Sequence, residues 1–254
     1  MRYAPCAEEV TAASLPEGHP TWGIIETTLA SVAYAARHDL EAVERYERVL
    51  GLLPPDDESR LPSHSNLVGL HENLGDLATA ERHARAAVDF ADRLVDPRYA
   101  QRESAHGHLA RMLLGRGDLE GAARALDRAL AVDAERLPGY RSRRHELLAT
   151  RAQLDARLGD VGRAVEAAEE ALRLALQGTG VTPRETMRMR STLGAAYLAA
   201  ERVSDAVAVL ETAVAEALDQ GLLRTELGAP SAAASSKHSP PRPNTAPPRR
   251  RPRL

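Results

Sequence analysis

ENLGDLATAERHARAAV (residues 72–88), LGRGDLEGAARALDRAL (114–130) and ARLGDVGRAVEAAEEAL (156–172) are copies of one pattern, each 42 residues after the last. A fourth copy, LAAERVSDAVAVLETAV (198–214), follows at the same interval, with Glu201 in place of the glycine that the others carry as Gly75, Gly117 and Gly159. Small residues keep the same beat: Ala80, Ala122, Ala164 and Ala206, then Ala87, Ala129, Ala171 and Ala213. A more divergent copy, HDLEAVERYERVLGLLP (38–54), comes first, one residue short, with Ala42 and Val49 in the small slots. Internal repetition is therefore the organising fact of this chain.

Each unit reads as two amphipathic helices about a tight turn. Glycine supplies the positive φ that ends the first helix, and the following Asp76, Asp118 or Asp160 accepts from the free N–H groups that begin the second. Apolar residues then recur at helical spacing. The pattern predicts helices over 21–37, 40–53, 61–74, 77–94, 98–116, 119–134, 139–158, 161–178, 183–200 and 203–222. Pro54, Pro55, Pro62, Pro97, Pro138 and Pro183 fall in or beside the links between pairs, where proline is tolerated. Two short helices cannot bury their apolar faces alone, so the units are expected to stack into a solenoid with one concave and one convex surface.

Composition agrees with that reading. Aromatic residues make up only 3% of the chain, with Trp22 and Phe90 each the sole example of its type, so Ala and Leu must do most of the packing. Both favour helix, and no run alternates as a strand would. Cys6 is the one cysteine and has no disulfide partner. With Glu8 and Glu9 where a signal peptide needs its apolar run, the expected location is cytoplasmic, without a membrane span.

Leu-Gly and an aromatic before the turn, with small residues after it and at the closest helix contact, resemble the tetratricopeptide repeat. The fifth unit carries this best, with Leu193-Gly194, Tyr197, Ala206, Leu210 and Ala213; the third has Leu109-Ala110, Leu113, Gly117, Ala122, Leu126 and Ala129. Departures are Val68 where Gly or Ala is usual, and Arg151 and Asp155 at slots normally apolar. The long period resembles the variety found in bacterial regulators and motor light chains. The resemblance implies an all-α, right-handed α-α superhelix of about five hairpins, with units near 21–57, 61–97, 98–138, 139–182 and 183–222 inside a repeat domain of 21–227. It also implies a protein-interaction scaffold or adaptor, not an enzyme, with the sensing arm of a bacterial regulatory system as a narrower form. Such arrays usually close with a polar capping helix, yet only QGLLRTELG (220–228) follows the fifth pair.

Outside the repeats lie an N-terminal extension, residues 1–20, and a Pro/Arg-rich tail, residues 228–254, expected to be disordered. The tail holds six of the 33 basic residues and none of the 36 acidic ones, leaving 27 basic against 36 acidic in the body. Arg249, Arg250, Arg251 and Arg253 could attract nucleic acid weakly, which makes a nucleic-acid-associated protein the alternative reading.

No catalytic motif is present: there is no GxSxG elbow, no phosphate-cradling loop and no HExxH. His106 and His108 project from different sides of a helix. The trio His64, His71 and His83 is weighed as metal ligands and set aside for packing, since His64 and His106 lie one period apart. No cofactor, metal or catalytic residue is expected. In the family's architecture the first helix of each pair lines the groove, which makes Glu72, Asn73, Arg111, Gln153, Arg157, Arg188 and Ser191 the candidate peptide contacts. Arg111, Arg157 and Arg188 suit an acidic peptide or a chain terminus, and the competing reading pairs them with neighbouring Glu. Arg141, Arg143 and Arg144 cluster at a helix start, where cations are unfavourable unless something holds them.

Overall fold

The computed structural model describes residues 21–94, 100–135, 143–178 and 180–221. The extension, the tail with its arginines, and Arg141 lie outside the described residues. Ten α-helices and no strand are found among the described residues: α1 Thr21–Ala35, α2 Asp39–Leu52, α3 Arg60–Leu74, α4 Leu77–Leu94, α5 Ala100–Arg116, α6 Leu119–Ala134, α7 Arg144–Leu158, α8 Val161–Gln177, α9 Pro183–Ala199 and α10 Val203–Asp219. Consecutive helices pair as five hairpins, and each hairpin packs on the next. The helix bounds match expectation to within a few residues. The largest difference is α7, expected from 139 and found from Arg144. Pro62 sits in the first turn of α3 and not in the link, a position where its missing N–H has no helical partner to lose.

The five turns share one geometry. Gly75, Gly117 and Gly159 take φ of 79°, 84° and 82°. In each case the next N–H reaches back to the carbonyl five residues earlier: Asp76 to His71, Asp118 to Leu113 and Asp160 to Asp155, at 2.9 to 3.0 Å. The divergent units close identically, His38 onto Ala33 and Arg202 onto Tyr197, both at 2.9 Å. There Arg37 and Glu201 occupy the left-handed region at φ 63° and 58°. A side chain in that conformation costs roughly 1 kcal/mol relative to glycine, which the surrounding packing must offset. Capping follows the same division. Asp76, Asp118 and Asp160 accept from Thr79, Gly121 and Arg163 amides at 3.1, 2.8 and 3.3 Å. His38 and Arg202 make no side-chain cap.

The periodic alanines are the core. Ala80, Ala87, Ala129, Ala164, Ala171 and Ala206 are fully buried, and Ala122 and Ala213 nearly so. Within the hairpins, positions sixteen residues apart share a core cluster, and in most of them a large residue stands with a small one. Ala30 clusters with Tyr46, Val68 with Ala84, Ala110 with Leu126, and Ala152 with Ala168, the last pair small on both sides. In the fifth hairpin, a Cβ on Gly194 would lie 2.7 Å from Leu210. Val68 is thus no defect, because its partner Ala84 is small where the third and fifth units use Leu. Arg151 and Asp155 likewise compensate each other. Arg151 Nε donates to both Asp155 oxygens at 3.0 Å, and its Nη1 lies 3.3 Å from Asp127, so the buried carboxylate is neutralised within its own helix.

A further period links one hairpin to the next. Arg60, Arg102 and Arg144 stand 42 residues apart at the starts of first helices, and each reaches back to the preceding hairpin. Arg60 Nη1 donates to the Leu50 and Leu53 carbonyls at 2.7 and 3.0 Å, capping the end of α2. Arg102 donates twice to Asp92 at 3.0 and 2.8 Å, and Arg144 donates to Asp133 at 3.0 Å. This accounts for Arg144 within the basic cluster. At the far end, α10 leaves Val207, Val214 and Leu218 exposed, as expected of an array whose last helix is not covered by a described element.

The size trade is directly testable. Gly194→Ala should overpack α9 against α10 and cost about 1 to 3 kcal/mol of unfolding free energy. Adding Leu210→Ala should recover part of that loss, giving a non-zero coupling energy in a denaturant double-mutant cycle.

Candidate functional site

First helices and Arg143 line one groove of about 460 Å³. Tyr34 of α1, Ser65, Asn66, Gly69, Glu72 and Asn73 of α3, Ser104, His108 and Arg111 of α5, Glu146 of α7 and Arg188 of α9 all face it, joined by Arg143 just before α7. The arrangement follows from the repeat: small residues put second helices on the outside, and residues three, four and seven apart on each first helix then share the inner face.

Of the candidate contacts, Glu72, Asn73, Arg111 and Arg188 line this groove, and Gln153, Arg157 and Ser191 are not among its lining residues. Arg157 instead donates to the Leu114 carbonyl at 2.6 Å, completing the end of α5. Its register differs from that of Arg111, since Arg157 falls one period after Gly115. Ser191 Oγ donates to the Met187 carbonyl at 3.1 Å. Gln153 is exposed.

The groove arginines are paired with glutamates. Arg111 forks onto Glu72, Nε to Oε1 at 2.9 Å and Nη2 to Oε2 at 2.5 Å. Arg143 donates through Nε and Nη2 to Glu146 Oε1 at 3.0 and 2.6 Å, while Arg188 lies 3.5 Å from the other Glu146 oxygen. Arg143 and Arg188 remain 44% and 48% exposed, so an incoming carboxylate can reach both. Arg143 and Glu146 were not among the candidate contacts; the helix-start cluster was the signal that pointed to Arg143. A smaller pocket of about 20 Å³, room for roughly one water, lies between Glu103, His108, Arg111 and Arg143.

His108 has a buried Nδ1 without a hydrogen-bond partner. Burial, with Arg111, Arg143 and Arg188 adding to it, holds the imidazole well below its ordinary pKa of 6.5. His106 points elsewhere, its Nε2 lying 3.1 Å from Asp92 Oδ1, and burial lowers its pKa as well. Both rings thus bind a proton less readily in the fold than in the unfolded chain. Their contribution is complete above about pH 6.5 and is lost as pH falls below it. The unfolding temperature should therefore drop between pH 7 and pH 5, with a limiting slope of about 1.4 kcal/mol per pH unit for each ring. His108→Gln should flatten that dependence in melts followed by circular dichroism.

No family model matches the chain, and no curated protein matches it. Solved structures do. BtubC (BKLC) from P. vanneervenii is similar over 96% of this chain and 93% of its own, at 19% identity and a TM-score of 0.64. A kinesin light chain with nearly identical TPR-like repeats from Podosopora anserina, itself described as putative, is similar at 22% identity and a TM-score of 0.57, over 78% of this chain and 95% of its own. A Rap protein solved in complex with Competence and Sporulation Factor matches 86% of this chain at 13% identity and a TM-score of 0.64, with 60% of its own length covered. These solved structures share the fold of this chain, and with the repeat signature read above, the chain is a tetratricopeptide-repeat protein by fold, built on a 42-residue unit.

Proposed function

We propose that the chain is a protein-interaction scaffold that holds an extended, acidic peptide segment of a partner in the first-helix groove. The observation that carries this reading is the groove's charge. Three arginines and two glutamates line it, in a body whose residues 1–227 hold 27 basic against 36 acidic side chains. A local excess of cations inside an acidic protein selects carboxylates by steering and by bidentate pairing. Asn66, Asn73 and Ser104 along the same walls offer donors and acceptors to a peptide backbone, which needs both. Arg188, at 3.5 Å from Glu146, is the most readily recruited, because its present ion pair is long and half exposed.

That a Rap protein of the same fold is solved with Competence and Sporulation Factor supports a bound partner and a narrower role as the sensing arm of a bacterial regulatory system. In this reading residues 21–227 act as one repeat domain and residues 228–254 are a separate basic tail. No helix among the described residues is long and apolar enough to cross a membrane.

Capture from the native cell extract tests the proposal, using the full chain, a chain ending at residue 227, and the full chain carrying Arg111→Ala, Arg143→Ala and Arg188→Ala. A defined protein should be held by the first two and reduced at least about tenfold by the third, a loss of roughly 1.4 kcal/mol or more, with helicity unchanged. Equal recovery by the triple variant would contradict the groove assignment. Nucleic acid held only by the full chain would move the function to the tail.

A further inference from the structure

The fold brings together side chains that have no motif in sequence. His64 and His71 lie two turns apart on one face of α3, His83 comes from α4, and Glu47 from α2 of the preceding hairpin. His83 is the hub. Its Nε2 lies 3.1 Å from Glu47 Oε1, and its Nδ1 lies 3.1 Å from His64 Nδ1. The His71 ring stacks on it, with centroids 5.5 Å apart and planes 14° from parallel. One donor atom each from Glu47, His71 and His83 fall within 4.8 Å of one another.

Packing alone does not explain His71. The residue is only 9% exposed, yet neither ring nitrogen has a hydrogen-bond partner. Buried imidazoles are normally satisfied on at least one side. Its Nδ1 is 3.6 Å from Asp76 Oδ2, an approach too long for a hydrogen bond but the right disposition for a carboxylate that orients a ligating histidine. With Nδ1 near Asp76, Nε2 is the nitrogen left to ligate together with His83 and Glu47.

We propose that Glu47, His71 and His83 form a site for a divalent transition-metal ion of the zinc class, with Asp76 and His64 orienting the two imidazoles. Two nitrogens and one carboxylate oxygen are the donor set such ions take when one coordination position stays open to water. Tetrahedral bonds of about 2.0 to 2.2 Å place ligand atoms roughly 3.3 to 3.6 Å apart, so modest side-chain rotation closes the set. The Glu47 side chain is 50% exposed and opens the site to solvent, while the histidine side chains are 11% and 12% exposed and supply a fixed wall. In the bound form His83 stays neutral with its proton on Nδ1, toward His64, and Nε2 takes the ion in place of its contact with Glu47. It also joins the first hairpin to the second. The other cluster of this kind, His145, Glu146 and Glu185, is a poorer candidate, because Glu146 already serves Arg143 and Arg188 in the groove.

Titration of the full chain with Zn²⁺ by calorimetry, and with Co²⁺ by visible absorption, tests the site near neutral pH. One-to-one binding is expected, with cobalt bands of tetrahedral intensity. Glu47→Gln removes a half-exposed ligand without disturbing the core and should weaken binding at least about tenfold, as should His83→Asn. His145→Ala should leave affinity unchanged. Absence of saturable binding, or binding that survives Glu47→Gln and His83→Asn in chains of normal helicity, would overturn the proposal.

Discussion

Close approach of helices at the small-residue slots is the constraint on which everything else rests. Ala80, Ala122, Ala164 and Ala206 begin each second helix where it meets the first, and Ala87, Ala129, Ala171 and Ala213 repeat the contact two turns later. With so little bulk between them, paired helices sit near enough for a single layer of Leu, Val and Met to fill the remaining space. A chain with 3% aromatic residues can build a core in this way and in few others. Ala30 with Tyr46, Val68 with Ala84 and Gly194 with Leu210 set a small residue beside a larger one at these positions, while Ala152 and Ala168 are small on both sides.

From that contact follows the division of surfaces. Second helices turn outward, first helices turn inward, and charged residues on the inner face of one unit meet those of the next. Glu72 with Arg111 and Glu146 with Arg188 are both pairings between successive first helices. Arg60, Arg102 and Arg144 perform the outer equivalent, tying each hairpin to the end of the one before. The groove's arginines are thus held in place by ion pairs, which in the proposed peptide complex limits their ordering cost.

The repeat was legible in the sequence because its determinants are local. Glycine, aspartate and alanine at fixed offsets specify the turn, the cap and the contact within one hairpin, so Gly75, Asp118 and Ala164 announce their roles without reference to distant residues. Positions set by contact between hairpins were harder to read. Arg157 was placed in the groove by counting along the helix, yet its guanidinium reaches the Leu114 carbonyl of the neighbouring unit. Arg60, Arg102 and Arg144 obey the same 42-residue beat as the alanines, a signal that was present but obscured by the many other arginines. His71 and His83 were visible in the sequence as possible ligands and read as packing residues, whereas Glu47 had no signature, since three helices contribute one residue each.

If stacking of identical units is what holds the molecule together, the unit itself should be interchangeable. A second copy of residues 117–158, inserted after Leu158, continues the 42-residue register without altering any existing interface type. The decisive measurement is thermal unfolding of that lengthened chain by circular dichroism, beside the parent. The account predicts the same helicity per residue and a cooperative transition at or above the parent's midpoint, because one more nearest-neighbour interface has been added. A lower midpoint, or loss of cooperative unfolding, would mean that the hairpins depend on contacts particular to their places in the chain and would contradict the repeat as the structural unit.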